Sequence, residues 1–471
     1  MQAALCFTEL LELAANAERQ LKGDGVLSLA LPVEGLDPLL HLPQLGDENC
    51  FKFLWDRAPG LSLAASGRTN HLELSGPRRF QLAQRFADLS LSRLVCAPQS
   101  VPPQARPRVL LAFSFFDAAL QNGENLPGIQ AVLPRWQLSR QGHEGWLRLQ
   151  VNAGNGTIAR QLAEELWLKA ESLVAFSKIA KTTRKHEKPS IINVIQSSSW
   201  QESYIKAAKR GLELVNQHEL HKLVIAVRQN LLLEQPLKPL DLLYRLRKEQ
   251  SGSCRFLWQV HKADAFFGAS PERLLVFRQG QLLSDALAGT ASVDDVENQL
   301  LKSDKDRHEH ELVVEEIIKV LCQQGMCPSH PNRPRLARHG HLIHLHTPII
   351  AKINGQSPLL LAEALHPTPA VAGLPRREAM AWLRSLEEFE RGHYAAPIGW
   401  IDNSGDAELR VAIRSARQQN CHLEITAGAG LVCGSILEKE LQEVNLKLGV
   451  MHKQLNLPIK KSQLTSNFLT A

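Results

Sequence analysis

Cysteine pairs are missing from this sequence. It contains eight cysteines in 471 residues, but no two of them form a CxxC pair and they are spread along the whole chain. Small secreted domains hold their chains together with compact sets of disulfides, and this spacing does not match such a framework. We therefore interpret the cysteines as reduced thiols of an intracellular protein.

Long apolar runs and targeting signals are missing as well. No stretch approaches the roughly 18 consecutive apolar residues that a transmembrane helix needs. The N-terminus has no basic segment followed by an apolar block, and Glu9, Glu12 and Glu18 argue against a transit peptide. We predict an amphipathic helix there, and a soluble, cytoplasmic protein with no membrane partner.

A strong excess of one charge is also absent. The formal net charge is +6 with 48 acidic residues, which gives no general reason to expect a nucleic-acid partner. One basic stretch, Lys178–Lys188, stands out, but no aromatic residue interleaves it for base stacking. We interpret this stretch as a solvated loop, with a phosphate-binding patch as the alternative. The remaining composition is that of an ordinary globular protein.

The first part of the chain is rich in short β-like segments. Between residues 25 and 175, runs such as Val26–Leu31 and Val109–Phe116 are separated by Gly, Pro and Asn turns, and helical stretches interrupt them. These patterns predict an α+β fold with antiparallel sheets. We assign residues 1–190 to a supporting half and residues 191–460 to a catalytic half. No clear linker separates the two, so we expect one continuous structural domain.

The second half carries sharper signals. Lys222–Val227 is predicted to be a buried central strand, and Ser303 is predicted to begin a long helix with a weak capping box. A last long helix is predicted from about Leu437 to His452. The other predicted elements are the hairpin of Arg273–Gln279 and Leu282–Ala286 around Gly280, and the strands Leu409–Ser415 and His422–Thr426.

Two helices of this half present carboxylates next to apolar residues. Glu309 lies on the edge of the face that carries Val313, and an ion pair with Arg307 or a histidine is the alternative to a functional role. The motif HExxH of zinc proteases is excluded because Leu312 stands where the second histidine would be. Glu309 is therefore a candidate ligand for a hard cation.

The final helix places Glu440, Glu443 and Lys447 in one stripe beside its apolar seam. A surface pair between Glu443 and Lys447 is the alternative interpretation. Mg²⁺ binds through one or two carboxylates together with water and ligand oxygens, so two glutamates from separate helices would suffice. The spacing alone does not establish that Glu309 and Glu443 meet.

Two further residues are candidates for acid and base chemistry. Lys222 begins an apolar strand, where burial favours the neutral amine of a general base, and the alternative is a strand-end lysine that reaches solvent. Glu272 follows Ser270 and Pro271 at the end of another strand. In an apolar pocket its carboxyl group would stay protonated and act as a general acid, and the alternative is a glutamate that stabilises the turn.

A glycine-rich segment follows one of the last strands. Gly428 and Gly430, with Gly434 beyond them, resemble a nucleotide-binding loop, but too little chain follows for a βαβ unit. We predict instead that backbone N–H groups there approach an anionic ligand, with Arg414 on the preceding strand as a carboxylate partner. A plain glycine turn between strand and helix is the alternative.

Nine motifs in order give the sequence a resemblance to a known family. They are SPERLL, ALAGT, SDKDRHEHEL, LIHLHTP, LHPTPAVAGLP, PIGW, VAIRSA, AGAGLV and EKELQEVNLKL, between about Lys222 and Leu448. This set resembles the chorismate-utilising enzymes, and most of all their isochorismate synthase branch. The resemblance implies an α+β fold of two large packed antiparallel sheets with surrounding helices, as in anthranilate synthase component I.

The resemblance also implies a mechanism. Lys222 would deprotonate a water that attacks C2 of chorismate, and Glu272 would protonate the departing C4 hydroxyl. Mg²⁺ would bind the ring carboxylate of the substrate. The implied ligands are Glu309 and Glu443, with Glu440 nearby, for Mg²⁺, and Gly289, His344, Arg414, Gly428 and Lys447 for the substrate.

Differences within the family narrow the expected activity. The ammonia-adding enzymes lack a lysine at the position of Lys222, so we expect water as nucleophile and no glutamine amidotransferase subunit. The pathway implied is menaquinone or phylloquinone biosynthesis, and a monomer is favoured. A salicylate synthase and a non-catalytic chorismate-binding subunit are the alternatives. Two departures from the family pattern are Arg228, one position later than the usual arginine, and His346, a candidate substrate contact.

Overall fold

The computed structural model describes residues 5–118, 126–153, 159–183, 192–293 and 297–457. Its α-helices are α1 Phe7–Gln20, α2 Pro38–His41, α3 Arg79–Ser92, α4 Ala159–Thr183, α5 Gln201–Asn216, α6 Pro239–Glu249, α7 Glu297–Lys302, α8 Asp304–Gln323, α9 Pro358–Leu365, α10 Arg376–Leu386 and α11 Leu437–Gln454. Its strands in the first half are β1 Val26–Pro32, β2 Lys52–Asp56, β3 Ser62–Leu74, β4 Leu94–Ala97, β5 Arg108–Phe113, β6 Ile129–Gln141 and β7 Glu144–Asn152.

The second half contributes the remaining strands. They are β8 Val194–Ser197, β9 Lys222–Leu233, β10 Cys254–His261, β11 Asp264–Ser270, β12 Arg273–Arg278, β13 Gln281–Ser292, β14 Arg335–His339, β15 Leu342–Lys352, β16 Gly373–Leu374, β17 Pro397–Asp402, β18 Ala407–Val411, β19 Ser415–Gln419 and β20 His422–Val432. The predicted α+β class is confirmed. The strand pairs are antiparallel apart from the parallel pair of β1 with β4, as far as the described residues show.

Strand pairs join the two halves of the chain. Strand β2 pairs with β10, and β5 pairs with β17, so that strands of the first half continue the sheets of the second. The strands of both halves thereby belong to one continuous hydrogen-bonded network. An aromatic contact also joins β2 to β10: the rings of Phe53 and Trp258 meet edge to face with their centroids 5.9 Å apart.

The central pair of strands in the second half is β9 with β20. They run antiparallel along eleven paired residues, from His422 opposite Leu232 to Val432 opposite Lys222. Leu223 and Ile225 point away from the cavity described below and are fully buried. Helix α5 packs on this face so closely that a Cβ at Gly211 would lie 2.7 Å from Leu431. The predicted buried strand at Lys222–Val227 is thus present and continues to Leu233.

Helix α8 begins where the sequence predicted. The Ser303 hydroxyl accepts a hydrogen bond from the backbone N–H of Asp306 at 3.3 Å, which satisfies one of the free donors of the first turn. The apolar face of α8 buries Val313 and Ile317 against the core. Because Glu309 lies one turn earlier on the same side, its carboxylate is drawn into the protein and is buried.

Three sequence predictions need correction or fall outside the described residues. The strand predicted over Leu409–Ser415 ends at Val411, because Arg414 adopts a φ of 54° that no regular strand accommodates. The strand predicted over His422–Thr426 continues to Val432, and the alternative of a plain glycine turn is excluded because Gly428 and Gly430 lie inside β20. The basic stretch Lys178–Lys188 lies partly outside the described residues.

Candidate active site

One cavity brings most of the predicted site residues together. It lies between strands β9, β13 and β20 and helices α8 and α11, with an empty volume of about 570 Å³. Its lining includes Glu272, Gly289, Glu309, His344, Arg414, Gly428, Glu443 and Lys447. The predicted residues Lys222 and Glu440 lie behind this lining. Residues from five different elements and their connections therefore meet at one cavity.

Lys222 and Glu309 form a buried ion pair. The Nζ of Lys222 lies 2.9 Å from Oε1 of Glu309, and the lysine side chain has no exposed surface. Burial acts to raise the pKa of Glu309, but the ammoniums of Lys222 and Lys305 lower it to about 2. The pairing excludes the predicted alternatives of Arg307 or a histidine as partner. Glu309 is held as a carboxylate in the cavity wall.

Gly430 of strand β20 leaves room for the ion pair between Lys222 and Glu309. A Cβ at Gly430 would lie 2.5 Å from Oε1 of Glu309 and 2.9 Å from Cε of Lys222. At Gly428 it would lie 2.7 Å from the carbonyl oxygen of Ile225. The two glycines therefore serve close packing of the strand against the neighbouring strand and the ion pair, and not a turn.

A second lysine, Lys305, connects the two glutamate helices. Its Nζ lies 3.2 Å from Oε2 of Glu309 on the same helix and 3.0 Å from Oε1 of Glu440 on helix α11. Burial acts to lower the pKa of Lys305, but the carboxylates of Glu309, Glu443 and Glu440 raise it well above its usual range. The sequence analysis missed this residue, although its spacing of four from Glu309 was a visible signal.

Glu443 and Lys447 form the pair that the sequence analysis considered, one turn apart on α11. Their Oε1 and Nζ atoms are 2.6 Å apart, and both side chains are largely buried rather than on the surface. Lys447 also donates a hydrogen bond of 2.8 Å to the carbonyl oxygen of Gly428. Helix α11 is thus fixed to the glycine segment of β20 at the cavity.

The carboxylates fit a cation, although they are not arranged as a finished cage. Among the described residues, no group of three or more Cys, His, Asp or Glu side chains forms a ready metal cage, whereas Mg²⁺ needs only one or two carboxylates together with water and ligand oxygens. However, Oε2 of Glu440 is buried without a hydrogen-bond partner. Burial and the nearby charge of Glu443 raise the pKa of Glu440 to about 7. The neighbouring ammonium of Lys305 therefore does not fully compensate the negative charge of these carboxylates.

Glu272 lines the same cavity, in the connection between β11 and β12. Ser270 fixes the turn before it: the Ser270 hydroxyl accepts from the Glu272 N–H at 3.2 Å and donates to the Val411 carbonyl at 2.6 Å. Burial and the charge of Asp285 raise the pKa of Glu272 to about 8. Its carboxyl group is therefore protonated at neutral pH, as a general acid has to be.

Arg414, His344 and Gly289 form a connected group on the cavity wall. Arg414 lies 3.4 Å from Nε2 of His344, and Nδ1 of His344 lies 3.1 Å from the Gly289 carbonyl oxygen. Because arginine only donates, Nε2 accepts and Nδ1 carries the proton. Burial and the charge of Arg414 hold the pKa of His344 well below its usual value, so the ring is neutral.

His346 does not line the cavity, in contrast to its prediction as a candidate substrate contact. Its Nε2 lies 2.9 Å from Oδ1 of Asp285, and its Nδ1 accepts a hydrogen bond of 3.2 Å from Arg335. Asp285 also accepts two hydrogen bonds from Arg273, at 2.6 and 2.8 Å. His346 therefore helps to hold Asp285 as a carboxylate near Glu272.

Two further lining residues were not predicted from the sequence. Arg391 is buried and bound to Glu387, with 2.7 Å between Nε and Oε2, and Tyr394 is buried beside it. Arg228 lies away from the cavity lining, where it pairs with Glu424 at 2.9 Å and stacks on Phe389.

Within the described residues, no helix is both long and apolar enough to cross a membrane.

Comparison with protein families gives one match over nearly the whole chain. The family described as chorismate binding enzyme matches residues 11–456. The salicylate biosynthesis isochorismate synthase of Pseudomonas aeruginosa is 32% identical over 444 residues, which cover 92% of this chain and 90% of that protein. The isochorismate synthase EntC of Escherichia coli is 33% identical over 60% of this chain and 75% of its own length.

Solved structures show the same fold. MenF, the menaquinone-specific isochorismate synthase from Escherichia coli, superposes with a TM-score of 0.74 at 24% identity, covering 95% of this chain and 99% of its own. Anthranilate synthase component I from Streptococcus pneumoniae superposes with a TM-score of 0.66 at 16% identity, covering 83% of this chain and 92% of its own. The predicted fold type is confirmed.

Proposed function

The chain belongs to the family of chorismate binding enzymes, and from this premise we propose that it converts chorismate to isochorismate. The reaction exchanges the hydroxyl at C4 for a hydroxyl at C2. The observation that carries the proposal is the presence of a buried lysine and a protonated glutamate at one cavity: Lys222 is ion-paired with the lining residue Glu309, and Glu272 lines the same cavity.

Lys222 and Glu272 divide the acid and base work. Lys222 takes a proton from the water whose oxygen attacks C2, and Glu272 donates its proton to the C4 oxygen, which departs as water. The two conjugated double bonds of the ring each shift by one position, from C1–C2 to C1–C6 and from C5–C6 to C4–C5, so atoms and charge balance. Because Lys222 is ion-paired as an ammonium in the ligand-free chain, it has to release Glu309 and lose its own proton before it can accept one from water.

Arg414 and Lys447 bind the negative charges of the substrate. Both are cations that line the cavity, and chorismate carries two carboxylates. Neutral His344 and the backbone at Gly289 and Gly428 define the walls against which the ring and its side chain pack. This arrangement holds C2 and C4 between the base and the acid.

A magnesium ion completes the proposed site. Glu309 and Glu443 would hold it, and Glu440 offers an additional carboxylate oxygen that has no partner now. Bound Mg²⁺ supplies positive charge that neutralises the ring carboxylate and orients the substrate. The test is Glu443→Ala, which we expect to raise the Mg²⁺ concentration needed for half-maximal turnover. An unchanged Mg²⁺ titration would refute the ligand role.

Product analysis distinguishes this activity from its alternatives. Purified protein is incubated with chorismate, with and without Mg²⁺, and the products are separated by chromatography. We expect isochorismate, formed only with Mg²⁺. Salicylate with pyruvate would identify a salicylate synthase, and absence of turnover under all conditions would identify a binding subunit.

The pathway that uses the isochorismate is a separate proposal. We place isochorismate from this chain in menaquinone or phylloquinone biosynthesis, in the cytoplasm, without an amidotransferase subunit and as a monomer. The name of the solved relative MenF supports the menaquinone assignment, whereas the name of the Pseudomonas relative points to salicylate biosynthesis. Complementation of strains that lack isochorismate for one product or the other decides between them.

A further inference from the structure

A lysine of the chain itself lies where the proposed function needs a metal ion. The ammonium of Lys305 contacts carboxylates of two different helices, Glu309 on α8 and Glu440 on α11, at 3.2 and 3.0 Å. Asp306 lies 3.8 Å from the same nitrogen. The two helices that would share Mg²⁺ are therefore already joined by a cation.

We propose that Lys305 is an internal counter-cation for the metal site. Its ammonium neutralises Glu309 and Glu440 while no metal is bound, and it withdraws toward solvent when Mg²⁺ binds. The inference rests on the proposed magnesium site and goes one step beyond it, because it assigns the exchange of cations to one side chain.

Charge balance favours exchange over simple addition of the metal. The carboxylates of the cluster are Asp306, Glu309, Glu440 and Glu443, and its ammoniums are Lys222, Lys305 and Lys447. When all of these groups are ionised, they carry one excess negative charge together. A divalent ion added to all of them would reverse this excess, whereas a divalent ion that replaces Lys305 leaves the cluster neutral. Uncompensated charge is strongly unfavourable in a buried site.

Distances also make the two cations exclusive. Mg²⁺ needs carboxylate oxygens at about 2.0–2.1 Å, which is shorter than an ammonium contact by roughly an ångström. Glu309 and Glu440 would have to close on the ion, and the space now filled by Nζ of Lys305 would be lost. Oε2 of Glu440, buried and without a hydrogen-bond partner, is the oxygen still available to a stronger cation.

Lys305 is the lysine best able to leave. Its side chain is 23% exposed, whereas that of Lys222 has no exposed surface and that of Lys447 is 15% exposed. Lys447 is also tied to the Gly428 carbonyl oxygen. Lys305 lies in the first turn of α8, and its four-carbon stem allows the ammonium to swing outward without moving the backbone.

Direct measurement of metal binding tests the proposal. Mg²⁺ binding to the ligand-free protein is measured by isothermal titration calorimetry for wild type, Lys305→Met and Lys319→Met. Lys319 is the matched control, because it lies on the same helix but is exposed and, within the described part of the chain, forms an ion pair with Glu316 and not with the site glutamates. We expect Lys305→Met to bind Mg²⁺ at least about tenfold more tightly, since a competing charge has gone, and Lys319→Met to match wild type.

A second variant covers the case in which Lys305→Met does not fold. Lys305→Arg keeps the charge and pairs with carboxylates through a rigid fork, so we expect it to bind Mg²⁺ more weakly than wild type. Equal or weaker binding by Lys305→Met, or equal or tighter binding by Lys305→Arg, overturns the proposal.

Turnover of the wild-type protein shows whether a negative result contradicts the counter-cation role alone or the proposed function as well. Mg²⁺-dependent formation of isochorismate, together with unchanged Mg²⁺ affinity in Lys305→Met, overturns the counter-cation role alone. Absence of both turnover and Mg²⁺ binding in wild type overturns the proposed metal site, and the counter-cation role falls with it.

Discussion

Glu272 and Lys222 differ in how the protein prepares them. Glu272 is protonated because burial and the charge of Asp285 disfavour its carboxylate, whereas Lys222 is held by an ion pair with Glu309. The first residue is therefore ready in the ligand-free chain, and the second becomes ready only after Glu309 has found another partner. The two roles can be tested separately.

Removal of either group should stop the reaction with little effect on substrate binding. We expect Lys222→Ala and Glu272→Gln each to lower kcat by about 10²–10⁴ fold, because each loses one proton transfer. Steady-state kinetics at saturating Mg²⁺ measure the effect, and tryptophan fluorescence titrated with chorismate measures binding. Turnover like that of wild type in either variant would refute the assignment.

The pH dependence of turnover should report Glu272. A general acid has to be protonated, so kcat/KM should be high below about pH 8 and fall as the pH rises through that value. Asp285→Asn removes a charge that raises the pKa of Glu272, and the fall should then move to lower pH. A profile of kcat/KM against pH for both proteins checks this, and an unmoved alkaline limb in Asp285→Asn would contradict it.

At the scale of elements, sequence patterns identified the site helices and its central strand correctly. A continuous apolar run indicated the buried strand that begins at Lys222, and a Ser with an acidic residue three positions later indicated the start of α8. The local environment of Arg414 and the glycines could not be predicted in this way. The φ of Arg414 occurs in the connection between two strands, where no regular pattern applies. Gly430 packs against Glu309, which is distant in sequence.

The partners of charged residues were the least predictable feature. Glu309 has Lys305 four residues away, but its other partner, Lys222, is distant in sequence and meets it only through the packing of α8 near β9 and β20. The role of His346 was likewise beyond the sequence, because its partner Asp285 lies on the neighbouring strand β13. Pairing of strands, and not spacing along them, sets these contacts.

Strand β20 should tolerate no side chain at its point of contact with the ion pair. We expect Gly430→Ala to destabilise the protein by about 1–3 kcal/mol, as overpacking of a core does, and to abolish turnover by separating Lys222 from Glu309. Thermal unfolding with circular dichroism measures stability, and product analysis measures turnover. An active Gly430→Ala enzyme of unchanged stability would show that the contact is not required.

At the scale of the whole molecule, the two halves share their sheets. Residues 192–457 contain the whole candidate site, but β10 and β17 lose the partners β2 and β5 when the first half is removed. Unpaired strand edges with apolar faces promote aggregation. The boundary at about residue 190 therefore separates a supporting half from a half that contains the site. The strand pairs that cross this boundary favour the prediction of one structural domain.

A fragment of the chain tests that prediction. We expect residues 192–457 expressed alone to be aggregated or unfolded, and the full chain to unfold in one cooperative transition. Circular dichroism during heating and size-exclusion chromatography compare the two proteins. A fragment that unfolds cooperatively and forms isochorismate would demonstrate an autonomous catalytic domain.

The glycines of β20 also restrict how this active site can change during evolution. One wall of the cavity is closed to mutation, because any side chain at Gly428 or Gly430 would collide with neighbouring backbone or with the ion pair. New substrate or product preferences have to arise from other lining positions, such as Leu287 and Thr290 on β13, which carry ordinary side chains. Libraries for engineering this enzyme should therefore vary β13 and leave β20 unchanged.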